Sequence, residues 1–222
     1  MNRLWPLYIL VLFAFTGLHA QVNDAGLWAS VNIEKKLTQA WSLNLSEELR
    51  LYENYTELGT VITDFGLNYK FNKNFRISGN YRFVNKREVA DYYSSRHRFY
   101  IDLTIREKVK PLVFTGRVRM QHQYEDVFTS ENGYIPENYI RTKATCKLDL
   151  DKVYSPYISG EIYNPLFSGT ATYIDKVRYS AGIDYSLNNA SSLDVFYMIQ
   201  SEYNTKNLRK DFVLGLGYSF KF

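Results

Sequence analysis

The chain has 222 residues, of which 23% are charged, and its formal net charge is +4. Aromatic residues make up 17% of the chain and the mean hydropathy is −0.33. These values favour β structure, and they exclude a disordered chain and a helical membrane protein beyond one N-terminal segment. The single cysteine, Cys146, excludes an internal disulfide framework, and the mild, evenly spread charge gives no indication of nucleic-acid binding.

The first twenty residues have the layout of a secretory signal peptide. Arg3 precedes an apolar run over residues 4–15, and the small residue Ala20 closes a potential cleavage region. The run is short for a membrane helix, so we expect cleavage near Ala20 and export of residues 21–222 to the outer membrane of a Gram-negative bacterium. A retained N-terminal anchor is the alternative.

The rest of the chain alternates apolar and polar residues with period two, the pattern of β-strands with two unlike faces. Glu47 is an exception on the apolar face between Leu45 and Leu49, and it marks either an interface or a bulge that switches the face. In chain order, the apolar faces of the predicted strands are Leu27–Ile33, Leu43–Leu51, Phe65–Phe71, Phe75–Phe83, Phe99–Ile105, Phe114–Met120, Ile140–Leu148, Ile158–Ile162, Val177–Ile183, Leu193–Ile199 and Phe212–Phe222.

The length of these segments decides the class of protein. Strands of soluble β proteins are commonly about 5–6 residues long, whereas a transmembrane strand needs about 9–11 residues, apolar towards lipid and polar towards the lumen. Aromatic residues such as Trp41, Tyr69 and Phe75 cluster at the segment ends, as in the two girdles of membrane barrels. We therefore predict an all-β fold, an antiparallel transmembrane up-and-down β-barrel over residues 21–222, with a secreted soluble β protein as the alternative.

The predicted connections alternate between short periplasmic turns and longer outer links. The short turns are Thr38–Ala40, Asn72–Asn74, Glu107–Pro111, Asp151–Ser155 and Asn188–Ala190. The longer links are Glu53–Gly59, Arg87–Ser94, Glu125–Glu137, Asn164–Thr172 and Asn204–Lys210. The last strand then ends in the periplasm, where Phe222 resembles the aromatic-terminated signal that outer-membrane barrels present to the barrel assembly machinery.

The strand number needs a correction, because the alternation gives eleven strands and bacterial single-chain barrels have even numbers. Either Gly26–Leu37 is not a full spanning strand, or Gln21–Ala25 leads in through the lumen, or Pro165–Tyr173 hides a twelfth strand. We expect ten or twelve strands, with twelve slightly ahead because the mature chain suits short loops.

Four short motifs carry a resemblance to a known family. They are Asp24-Ala25-Gly26-Leu27-Trp28, Lys36-Leu37, Trp41 and Glu47-Glu48-Leu49-Arg50. Together they resemble an uncharacterised family of Gram-negative outer-membrane β-barrels, a domain of unknown function that would cover essentially the whole mature chain. The resemblance implies a fold and a location but no activity. The architecture is more loosely similar to small monomeric porins for acidic oligosaccharides, whose lumens carry basic tracks.

Sequence motifs for catalysis are almost absent. No phosphate-binding loop, dinucleotide fingerprint, zinc-protease motif or serine-hydrolase motif occurs, so the sequence indicates no cofactor and no metal, and it favours a protein that is not an enzyme. The one catalytic hypothesis concerns Ser95, His97 and His122 on the apolar face near the long loops. A turn centred between Val109 and Lys110 would place His97 opposite His122.

A serine and a histidine at the level of the outer leaflet would suit a lipid-modifying enzyme, provided that a third group orients the base. The same turn would place Ser95 opposite Tyr124. The alternative is that these are amphipathic interface residues beside an aromatic girdle.

Basic residues outnumber acidic residues on the polar face, which becomes the interior of a barrel. The basic residues concentrate from Arg76 to Lys147, while the acids gather on the last strands, so one wall of the lumen should be basic. Such a wall raises the local concentration of anions, and guanidinium groups suit carboxylates. We predict a narrow, anion-preferring channel for small acidic solutes, and its predicted track is Arg82, Arg98, Arg117, Arg119 and Arg141. The alternative is a non-conducting structural barrel whose charges pair across the lumen and fill it.

Overall fold

The computed structural model describes residues 22–88, 90–125, 137–150, 153–166, 174–203 and 208–222. The predicted signal peptide, residues 1–20, lies outside the described residues, as do residues 126–136, 151–152, 167–173 and 204–207 of the predicted links and turns. Within the described ranges, no helix is long and apolar enough to cross a membrane.

The described residues form eleven β-strands. Each predicted apolar face coincides with one of them, apart from a single residue at the ends of the third and the last strand. The strands are β1 (Val22–Lys36), β2 (Trp41–Tyr52), β3 (Glu57–Lys70), β4 (Phe75–Arg87), β5 (Tyr93–Val109), β6 (Leu112–Glu125), β7 (Glu137–Leu148), β8 (Tyr154–Leu166), β9 (Lys176–Ser186), β10 (Ser191–Glu202) and β11 (Arg209–Lys221).

The sheet closes on itself, which confirms the predicted barrel. Consecutive strands pair antiparallel, and β1 pairs with β11 in parallel, from Val22 opposite Arg209 to Glu34 opposite Lys221. Closure by a parallel pair is what permits an odd number of strands, because the first and last strands then run in the same direction. The barrel therefore has eleven strands in its described part, one away from the expected ten or twelve.

The pairing of the strands contradicts the explanation that concerns the first strand, while the suspected twelfth strand stays a prediction. The segment Gly26–Leu37 is not a partial strand, since β1 pairs with β2 from Leu27 to Lys36 and with β11 on its other side. The suspected twelfth strand begins with Pro165, which belongs to β8, and residues 167–173 lie outside the described residues.

The two ends of the described chain lie at opposite rims of the barrel. β1 begins at the rim of the longer loops, where the Asn54 N–H donates to Asp24 Oδ1 at 3.2 Å. β1 and β11 both end at the rim of the short turns, where the Lys36 N–H donates to the Phe222 carbonyl at 2.8 Å. The first and last strands thus share one direction along the whole wall.

Three short turns at one rim use the same stabilising hydrogen bond. A side-chain oxygen accepts from the backbone N–H three residues later, which replaces a backbone partner that the tight turn cannot supply. The pairs are Thr38 with Trp41 at 3.0 Å, Asn72 with Phe75 at 2.8 Å and Asn188 with Ser191 at 2.8 Å.

Aromatic rings gather on the outer surface towards both rims, as the end-clustered aromatics predicted. Near the short turns, successive ring centroids lie 4.6, 4.7 and 5.2 Å apart along Trp41, Tyr69, Phe71 and Phe75. Towards the other rim, centroids lie 5.1 to 6.3 Å apart in a group formed by Tyr81, Phe83, His97, Phe99 and Tyr124. Such girdles suit the two interfaces of a bilayer.

The period-two pattern assigns the two faces of the wall correctly. Leu103 and Val195 point outward with 42% and 47% of their surface exposed, whereas Asp64 and Arg119 point inward and are buried. The interior is therefore mostly polar, and its one described apolar cluster comprises Trp28, Met198 and Val213 with the partly buried Phe196.

Replacing Leu103 by Arg should prevent folding into lipid, because an arginine on the lipid face at mid-height costs about 2–4 kcal/mol. Val109→Arg is the matched control, since Val109 also points outward but lies at the end of β5, where the cost falls to about 0–1 kcal/mol. Heat-modifiable gel migration after refolding into vesicles measures the folded fraction. Complete folding of Leu103→Arg would show that the assignment of the outer face is wrong.

Candidate functional site

Two adjoining cavities lie in the part of the lumen that the described residues form. The larger, of about 930 Å³, lies at the rim of the longer loops, and its lining includes Tyr52, Glu88 and Arg209. We call it the outer vestibule. The smaller, of about 250 Å³, lies further inside, and we call it the inner chamber. Its described lining is strongly basic, with seven basic residues, Arg50, Arg82, Arg117, Arg119, Arg141, Lys143 and Arg178, against three acidic ones, Glu48, Glu161 and Asp194.

The boundary between the two cavities is formed by four arginines that line both of them. Arg50, Arg82, Arg141 and Arg178 come from β2, β4, β7 and β9, so guanidinium groups approach this level of the lumen from several sides. We call these four residues the arginine ring. A solute that passes from one cavity to the other meets all of them.

Three arginines of the inner chamber each have a carboxylate partner of their own, and one of them is Arg50, whose Nε donates to Glu48 Oε1 at 2.5 Å. Arg119 donates to both oxygens of Asp102 at 2.7 Å, a bidentate pair that is buried. Arg82 donates to Asp64 Oδ2 at 2.5 Å, and the Tyr100 hydroxyl donates to the same oxygen at 2.5 Å. Charge-assisted bonds of this kind hold the guanidinium groups in place and neutralise them locally.

Glu161 is the centre of a group with more positive than negative charge. Its carboxylate accepts from Arg117 Nη2 at 2.6 Å and from Arg141 Nη2 at 2.8 Å, and Arg178 Nη1 lies 3.9 Å away. One negative charge therefore serves three guanidinium groups. Within the described residues the group has a net positive charge in the middle of the lumen.

Arg98 has no carboxylate partner among the described residues. Its Nε donates to the amide oxygen of Gln123 at 2.9 Å, and its Nη2 donates to the same oxygen. A neutral amide orients the guanidinium without compensating its charge. Arg98 lines the outer vestibule, so it adds positive charge on the approach to the arginine ring.

Aromatic rings separate and support the arginines. The guanidinium carbon of Arg50 lies 3.7 Å from the centre of the Trp28 ring, and that of Arg141 lies 4.2 Å from the centre of the Tyr163 ring. Arg178 lies between these two rings, at 5.1 Å and 5.0 Å. These cation–π contacts support the guanidinium groups without adding negative charge.

Glu88, in the loop between β4 and β5, belongs to the lining of the outer vestibule. It accepts from Ser94 Oγ at 2.6 Å and from Arg96 Nη2 at 2.7 Å. Burial raises the pKa of the Glu88 carboxyl, but the Ser94 hydrogen bond and the charges of Lys86 and Arg96 outweigh burial, so that the pKa lies below its ordinary value. The carboxylate therefore stays ionised and holds Arg96 in place.

The five arginines of the predicted track all line the lumen, at successive levels. Arg98 lies in the outer vestibule, Arg82 and Arg141 belong to the arginine ring, and Arg117 and Arg119 lie in the inner chamber. The track itself omitted Arg50 and Arg178. Alternation places these two inside the barrel, but it gives no information on which strands face each other across the lumen.

Ser95, His97 and His122 lie on the outer face, but the predicted cross-strand pairing is wrong. His97 is opposite Tyr124 and His122 is opposite Phe99, because the turn between β5 and β6 is centred one residue later than expected. The shift by two residues leaves every side chain on its predicted face. It separates the two histidines, which the hypothesis had paired.

The described contacts of these residues do not form a catalytic group. Ser95 Oγ donates to Asn85 Oδ1 at 3.0 Å, and His97 Nδ1 lies 2.8 Å from the Tyr81 hydroxyl. His122 Nδ1 lies 2.8 Å from Asn138 Oδ1. None of these contacts joins the serine to a histidine, and the lipid-modifying enzyme stays a prediction without structural support in the described chain.

Glu47 remains on the outer face, where Thr63 Oγ1 donates to its carboxylate at 3.2 Å. The bulge between β2 and β3 lies at Arg50 and Leu51, beyond Glu47, so the face does not switch there. In the strand register, Glu47 shares a row with Thr63, Phe83 and His97. The exception to the pattern is thus part of the polar and aromatic surface on this side of the barrel.

Comparison with known proteins agrees with this architecture. A family model described as "Protein of unknown function (DUF2490)" matches residues 25–211, and the chain belongs to this family. This confirms the resemblance in the sequence to an uncharacterised barrel family. No curated protein matches the chain.

Two solved structures of outer-membrane β-barrels are similar in fold. The β domain of the Bordetella autotransporter BrkA has a TM-score of 0.50 at 10% identity, covering 80% of this chain and 82% of that domain. The NanC porin has a TM-score of 0.50 at 11% identity, covering 84% of this chain and 89% of the porin. At these identities the similarity concerns the fold.

Glu161→Gln should lower the free energy of unfolding by about 3–5 kcal/mol, because the buried Arg141 and the half-buried Arg117 and Arg178 lose the carboxylate that they share. Asp184→Asn is the control, since Asp184 pairs with Lys147 where both side chains are 31% exposed, and such pairs contribute about 0–1 kcal/mol. Equilibrium urea unfolding in lipid vesicles gives both values. Equal losses for the two variants would show that Glu161 does not hold the group together.

Proposed function

We propose that this barrel is a narrow channel of the outer membrane that prefers anions and admits small acidic solutes. The single observation that carries the proposal is the sharing of one carboxylate, Glu161, by Arg117, Arg141 and Arg178. In a non-conducting barrel whose side chains fill the lumen, each buried positive charge would be expected to have its own negative partner. Here positive charge is left over in the middle of the solute's path.

The environment of this excess charge increases its effect on ions. The surrounding wall is a β-sheet with lipid outside it, so its dielectric constant is low and the field of the arginines is focused along the lumen. Arg98 adds an uncompensated charge in the outer vestibule, and Lys143 adds another in the inner chamber. An anion would therefore meet favourable positions at successive levels and could exchange between neighbouring guanidinium groups.

The location follows from the same proposal. The sequence carries a signal-peptide layout, and the similar solved structures are outer-membrane barrels. In that membrane the rim of the short turns would face the periplasm. The C-terminal Phe222 would then lie at the periplasmic rim, where it would serve as the recognition residue for the barrel assembly machinery.

Planar-bilayer recordings of the refolded protein across a KCl gradient test the channel. The wild type should conduct, and its zero-current potential should have the sign expected for anion selectivity. The double variant Arg98→Glu with Arg117→Glu should shift this potential towards the value expected for cation selectivity, because the fixed charge of the lumen is reversed. The matched control is Arg76→Glu with Arg106→Glu, which makes the same change in charge at exposed positions outside both cavities.

Arg98→Gln is the milder variant, because Arg98 has no described carboxylate partner to leave unpaired. It should reduce anion preference without affecting insertion. A wild type that inserts but does not conduct, or a reversed variant that keeps the selectivity of the wild type, would overturn the channel and leave a non-conducting structural barrel.

A further inference from the structure

Resting on the proposed function, we propose that the inner chamber is a binding site for a small hydroxy-carboxylate of the size of a sugar acid. The carboxylate would lie against Arg117 and Lys143, and hydroxyl groups would bind Asp194 on the opposite side. Trp28 would form a further wall of the site. The site would thus select solutes by chemistry as well as by charge.

Three residues that line this chamber each have a buried polar atom without a partner. Among the described residues, Trp28 Nε1, Arg117 Nε and Asp194 Oδ1 are buried and make no hydrogen bond, and all three residues line the inner chamber. Trp28 is only 8% exposed. Buried polar groups are normally satisfied, so three in one cavity indicate a place where a ligand supplies the missing bonds.

The chemistry of the three atoms defines the ligand. Trp28 and Arg117 offer N–H donors, which need an acceptor, and Asp194 offers an acceptor oxygen, which needs a donor. Its other oxygen already accepts from the Tyr157 hydroxyl at 3.0 Å. A halide or a simple carboxylate satisfies the donors alone, whereas a hydroxy-carboxylate satisfies both kinds of group.

The basic side of the chamber offers a position for the carboxylate. Lys143 lies directly across the strand pair from Arg117 and lines the chamber. No ion pair or hydrogen bond of the Lys143 ammonium occurs among the described residues, while the nearby Glu161 is already shared by three arginines. An incoming carboxylate would supply the negative charge that this side lacks.

The opposite side offers space and an acceptor for hydroxyl groups. Asp194, Gly217 and Ser30 lie in one row across β10, β11 and β1. A side chain at Gly217 would approach Ser30 Oγ within 3.3 Å and Asp194 Cβ within 3.5 Å, so it would crowd both of these chamber residues. The chamber is therefore basic on one side, and it is small and hydrogen-bonding on the other.

The experiment uses Trp28 as a reporter in the refolded mature protein. The Trp41→Phe background leaves Trp28 as the only tryptophan of the mature chain. Titration with glucuronate should change the Trp28 emission with saturation. Glucose lacks the carboxylate and acetate lacks the hydroxyl groups, so each should bind at least about tenfold more weakly, the loss expected for one missing charged or hydrogen-bonding partner.

Two variants assign the two ends of the ligand. Lys143→Gln should weaken glucuronate and acetate alike by about tenfold, whereas Asp194→Asn should weaken glucuronate and leave acetate unchanged. Lys70→Gln, at an exposed rim position outside the chamber, is the control and should bind as the background does. Heat-modifiable migration confirms that each variant is folded before it is titrated.

The outcomes separate this site from the channel. Saturable binding in a protein that does not conduct would retain the site and overturn the channel. Anion-selective conductance without a response of Trp28 to glucuronate would retain the channel and overturn the site. Equal binding of glucuronate, acetate and glucose, or wild-type affinity in both Lys143→Gln and Asp194→Asn, would also overturn the site.

Discussion

The structure depends on one constraint, namely that every backbone N–H and C=O group within the hydrocarbon region needs a hydrogen-bond partner from the protein itself. A sheet satisfies this only when it has no free edge. Here the last edge is removed by the pairing of β1 with β11, which continues over thirteen residue pairs from Val22 to Glu34. Parallel pairing serves this purpose as well as antiparallel pairing, and the even strand number of related barrels is therefore not a requirement of closure.

Closure also determines what the inside can be. A wall whose outer face must be apolar has only its inner face left for polar residues, and a barrel of this size brings those residues close to one another. Buried charge is costly unless it is paired and hydrogen-bonded. Arg119 with Asp102 meets that condition fully, while the arginines around Glu161 meet it only in part and use Trp28 and Tyr163 for the remaining support. Tolerance of such an incompletely compensated group is more readily explained by function than by stability.

The sequence predicted the faces of the strands much better than their partners. Alternation places Leu103 outside and Arg119 inside because a strand has a strict period of two. A change of register by two residues leaves this alternation unchanged, so the alternation cannot detect it. The turn between β5 and β6 was therefore predicted one residue too early, and His97 was given the wrong cross-strand partner. Turn geometry, with Val109 opposite Leu112, fixes this register, and the alternation does not contain it.

Of the candidate site, the sequence predicted only the wall that consecutive basic strands form. The basic strands are consecutive, so Arg98, Arg117 and Arg141 are neighbours in any barrel with this order of strands. Arg178 and Arg50 complete the arginine ring from more distant strands, and their approach depends on the strand number and on the stagger of the closed sheet. The sequence could not predict that Trp28 Nε1 and Asp194 Oδ1 lack hydrogen-bond partners, because a missing hydrogen bond is a property of the assembled lumen.

The parallel closure has a consequence for the topology of the whole polypeptide. Since β1 and β11 run in the same direction, Val22 and Lys221 lie on opposite sides of whatever membrane the barrel spans. Proteins fused before β1 and after β11 would be delivered to different compartments, whereas an even-stranded barrel would keep both fusions in the same one.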